Sequence, residues 1–78
     1  MVDYTIEFDV DGMRLTTLST DDPRVAVERL EKGKSHGLNS YTIRKSFLDP
    51  KADKQYVAVV NLTEEELRRE RPILAAML

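Results

Sequence analysis

Seventy-eight residues with a net charge of −2 and 41% hydrophobic content make one domain, residues 1–78, with no room for a second core. The absence of cysteine excludes disulfides and thiolate metal sites. No apolar run approaches the roughly 20 residues of a membrane span, and Met1-Val2-Asp3-Tyr4 lacks the basic start of a signal peptide, so the expectation is a soluble, cytoplasmic chain without a membrane partner.

The first element is the clearest. Even positions from Val2 to Val10 are apolar and odd positions from Asp3 to Asp11 are polar, the period of two of a half-buried strand. Asp11-Gly12 then suits a type I′ turn, whose two central residues both need φ > 0. A two-residue loop predicts Val10 opposite Met13, Phe8 opposite Leu15 and Ile6 opposite Thr17 on a core face. Asp9 opposite Arg14, Glu7 opposite Thr16 and Thr5 opposite Leu18 form an acidic, water-facing side. The second strand is expected to run from Met13 to Thr20.

Asp22-Pro23 starts a helix, with Asp22 as cap and Pro23 at the first helical position. Ala26, Val27 and Leu30 share its inner face, and Gly33 is the expected carboxyl-terminal cap. Lys34 to Ser40 reads as a loop. Ser40 to Leu48 reads as a third strand with Tyr41, Ile43, Lys45 and Phe47 on one face. Lys45 interrupts that row, which suggests a place near an edge where its ammonium reaches water. After a turn around Pro50, Gln55 to Leu62 reads as a fourth strand. It is apolar on both faces, which suits a central strand or one covered on its second face.

Thr63 and Glu66 have the spacing of a capping box, with Leu62 and Leu67 as its hydrophobic staple. Glu64 to Arg68 and Glu65 to Arg69 are expected i,i+4 pairs, and Pro72 interrupts the helix. Ile73 to Leu78 are six consecutive apolar residues. The order ββαββα predicts an α+β fold, a four-stranded antiparallel sheet in the order 2-1-3-4 with both helices on one face.

Motifs for chemistry are sparse. Glu7-x-Asp9-x-Asp11-Gly12 resembles the start of a calcium loop, but the twelfth position is Leu18 where a bidentate Glu is required. Gly33-Lys34-Ser35 resembles the end of a P-loop, but Glu28 stands where that motif needs its first glycine. Lys32, Lys34, His36 and the amides near Gly33 and Gly37 could still cradle an anion. The single histidine, His36, has no partner fixed by spacing. The expectation is therefore no enzyme, no cofactor and no metal.

Charge is unevenly placed. Residues 1–31 carry −5, residues 32–54 carry +4 and residues 55–78 carry −1. A nucleic-acid-binding surface in 32–54 would use Lys34, His36, Arg44, Lys45, Lys51 and Lys54, with Tyr41 and Tyr56 as stacking rings. The preferred reading is a small, non-catalytic protein-interaction or regulatory module, a homodimer or a binder of another protein. Its expected interface is Ile73, Leu74, Met77 and Leu78 with Tyr56 and Val60, because one helical face cannot bury six apolar residues in a row.

Overall fold

The computed structural model describes residues 2–48 and 57–71. The elements are β1 (Val2–Val10), β2 (Met13–Thr16), α1 (Pro23–Ser35), β3 (Tyr41–Leu48), β4 (Val57–Leu62) and α2 (Glu64–Arg69). They form an α+β fold: an open four-stranded antiparallel sheet, ordered β2-β1-β3-β4, with two helices. The alternation in β1 builds the core directly. Tyr4, Ile6 and Phe8 are buried with Ile43 of β3, and Ala26, Leu30 and Leu67 cover them from the helices. Ile6, Leu30, Ile43 and Leu67 are essentially inaccessible to water, and each stabilises the fold by roughly 1.5–3 kcal/mol through burial.

The β1–β2 turn has φ of 50° at Asp11 and 80° at Gly12, as a type I′ turn needs. Register follows the two-residue loop as far as Glu7 opposite Thr16. Beyond that, β2 is shorter than its sequence pattern predicts. The Thr17 N–H donates to the Ile6 carbonyl at 2.9 Å, but the Ile6 N–H is taken by the Thr17 hydroxyl at 3.1 Å. The next bridge pairs Tyr4 with Thr20, one residue out of step. This is a bulge. Leu18 is the extra residue, and Ser19 takes the expected place of Leu18 beside Thr5, hydroxyl to hydroxyl at 2.9 Å.

The N-cap of α1 forms as expected, with the Asp22 carboxylate accepting from Arg24 N–H at 2.9 Å and Pro23 at the helix start. The expected cap at Gly33 is corrected. The helix continues through Gly33, which is buried against the Phe8 ring, where an added Cβ would lie 2.3 Å from Cζ. The left-handed position is Gly37, with φ of 85°. Gly37 N–H bonds the Lys34 carbonyl and Leu38 N–H bonds the Gly33 carbonyl, both at 3.0 Å, which closes a Schellman motif.

In α2, Thr63 and Glu66 close the capping box at 2.9 and 3.1 Å, and Leu67 is buried. The strand order is the expected one, so β4 forms the other edge of the described sheet and is not central, and Lys45 lies on inner strand β3 and not near an edge. Val59 is exposed on the face away from the helices, so no second layer covers it among the described residues. Pro72 and residues 49–56 lie outside the described residues, and no described helix is long and apolar enough to cross a membrane.

Candidate interaction surface

The described members of the expected basic set, Lys34, His36, Arg44 and Lys45, do not assemble into one surface. Lys34, at the end of α1, gives its ammonium to Glu64 of α2 at 2.7 Å. Arg44 points to the sheet's open face and pairs with Glu7 at 3.0 Å. Lys45, the next residue, points to the helix side, pairs with Glu70 and lies 5.9 Å from the Phe47 ring. Strand alternation separates the two cations. His36 caps α1 and is exposed, while Lys51 and Lys54 lie outside the described residues. The loop around Gly37 is a helix carboxyl terminus whose amides are spent on their own carbonyls, the wrong end of a helix for an anion.

Acids and bases knit the fold instead. Glu31 pairs with Arg68 at 2.7 Å, and with Lys34–Glu64 this makes two ion pairs between α1 and α2. They replace the expected pair of Glu64 with Arg68, whereas Glu65 and Arg69 do approach, at 3.9 Å. The hydrogen bond from Lys34 holds the Glu64 carboxyl below its usual range. On the open face Glu7 lies between Arg14, at 3.6 Å, and Arg44, and Asp9 approaches Arg14 at 3.9 Å, so these two acids of β1 are paired with bases. On the helix side the Tyr4 phenol is pushed up to about 12, by burial first and then by the charge of Glu70 and a hydrogen bond to it.

A groove of about 290 Å³ lies between the start of α1 and α2, with Pro23, Val27 and Leu67 as apolar lining and Arg24, Arg68, Glu70 and Arg71 beside them. Arg24 is held by Asp22 at 3.0 Å, and Arg68 by Glu31. Among the described residues no three His, Cys, Asp or Glu gather as metal ligands.

The feature that stands out is edge strand β2. Met13 is 66% exposed, Leu15 48% and Leu18 81%. Met13 and Leu15 are in register with Val10 and Phe8, and therefore lie on the helix side of the sheet. The register was legible in sequence, but their exposure was not. The helix α1 packs over β1 and against α2, which leaves the flank over β2 uncovered. Leu18 is exposed because the bulge displaces it, and Arg29 of α1 donates to its carbonyl. Of the expected apolar interface, Val60 is 41% exposed on the helix side of β4. Tyr56, Ile73, Leu74, Met77 and Leu78 lie outside the described residues. Comparison with family models, curated proteins and solved structures finds no match to this chain.

Proposed function

We propose that this chain is a small, non-catalytic protein-interaction module that engages a protein, a second copy included, along β2. The observation that carries the reading is the run of exposed Met13, Leu15 and Leu18 beside an edge strand. An open edge supplies backbone donors and acceptors, and apolar side chains beside it supply the area that a protein partner buries. The ion pairs of Lys34, Arg44 and Lys45 favour this reading over nucleic acid, because phosphate binding needs cations that are not already matched. A cysteine-free chain works unchanged in a reducing compartment, and we place it in the cytoplasm.

A photo-crosslinking amino acid at position 18 tests the reading. Irradiation in cell extract is expected to yield adducts to protein, lost when Leu15→Lys is added and folding is intact by circular dichroism. Nucleic-acid adducts, or no adducts, would overturn it.

A further inference from the structure

We propose that two copies of the chain pair antiparallel along β2, about a two-fold axis through Leu15, joining two four-stranded sheets into one. The proposal rests on the interaction reading above and names the partner.

The backbone sets the axis. In an antiparallel pair, residues alternate between those whose N–H and C=O point into the pair and those whose groups point out. Thr17 donates to Ile6, so Ile6 and Thr17 point inward. Stepping by two along the register, Phe8 with Leu15 and Val10 with Met13 do the same. Arg14 and Thr16 therefore present their N–H and C=O to the open side of β2, where no described strand follows. These residues flank Leu15 symmetrically. A two-fold at Leu15 sets Arg14 of each copy opposite Thr16 of the other, and reciprocal bonds satisfy every one of those groups. Neighbouring axes fail. An axis at Arg14 sets two guanidinium side chains opposite each other on one face, which is repulsive. An axis at Thr16 runs the second strand into the bulge that begins at Thr17.

Side chains agree with the same axis. On the helix side, Leu15 meets Leu15 in a non-hydrogen-bonded pair, the closer kind, and Met13 meets Thr17 of the other copy. On the open face the cross-sheet row becomes Asp9, Arg14, then Thr16 and Glu7 of the second copy. Each Arg14 thus lies directly opposite Thr16, with Glu7 of the second copy one strand beyond, and the two arginines are only diagonal neighbours. The strand is four residues long, so the interface is small and the dimer reversible.

Because the chain has no cysteine, Leu15→Cys introduces a single thiol on the proposed axis. Under mild oxidation at about 100 µM it should form a disulfide-linked dimer at least tenfold faster than Met13→Cys or Leu48→Cys, which lie off the axis and on the far half of the sheet. The unaltered chain should approach twice its monomer mass in sedimentation equilibrium as concentration rises, and Leu15→Lys, folded by circular dichroism, should not. Equal cross-linking rates at the three positions, or a dimer that survives Leu15→Lys, would overturn the β2 pairing. A wild-type chain monomeric up to 1 mM would overturn self-association. In that case protein adducts at position 18 would still leave the interaction reading standing, and their absence would end both.

Discussion

Phe8 and Leu15 are cross-strand partners on the same face of the same sheet, yet Phe8 is 4% exposed and Leu15 is 48% exposed. The difference is the position of α1. Its buried residues Ala26, Leu30 and Gly33 face β1 and α2, and two ion pairs tie it toward α2. Alternation along a strand specifies which way a side chain points. Whether anything covers it depends on where the helix comes to rest.

The largest expected effect separates the two regions directly. Ile6→Ala, beneath the helices, should lose about 2–5 kcal/mol in urea denaturation. Leu15→Ala, one strand away, should lose under about 1 kcal/mol at concentrations where the chain is monomeric, because less of the side chain leaves water on folding. Equal losses would mean that α1 covers β2 as well as β1.

Gly33→Ala comes next. The new methyl meets the Phe8 ring, and overpacking costs about 1–3 kcal/mol, partly offset by the gain of about 1 kcal/mol in helix propensity. The net expectation is a loss that Phe8→Leu reduces when the two are combined, read from the same denaturation curves in a double-mutant cycle.

Tyr4→Phe, which removes a hydroxyl near Glu70, should change stability by under about 1 kcal/mol at neutral pH. It becomes informative in alkali. The Tyr4 phenol titrates near 12 in the folded chain against 10 in an open one. The folded state therefore holds its proton more tightly, and the stability it contributes is present below pH 10 and lost as pH rises through 12. The wild-type midpoint should fall faster over that range than that of Tyr4→Phe. Absorbance at 295 nm should show one tyrosine ionising last, and parallel curves for the two proteins would refute the assignment.

Much of this architecture was legible in the residues. The turn at Asp11-Gly12 and the caps at Asp22 and Thr63 depend on local chemistry, and the strand order follows from keeping neighbours antiparallel after one helical crossover. Other features depend on neighbours distant in the chain. Gly33 looks like a stop signal, because only the folded sheet brings Phe8 beneath it. Lys45 looks like an edge residue, because nothing near it in sequence announces Glu70. Lys34, Arg44 and Lys45 look like one patch until alternation and three separate carboxylates divide them. The exposure of β2 was hidden for the same reason, since a strand does not encode how far the helix above it extends.

The bulge at Leu18 also bounds any assembly built on this edge. A strand laid along β2 finds a regular ladder only from Met13 to Thr16, and then a displaced residue that offers no continuing track. Pairing about a two-fold uses that stretch completely in both copies. The edge is long enough to hold one mate, and a two-fold pairing occupies it in both copies, so no third copy can join along β2.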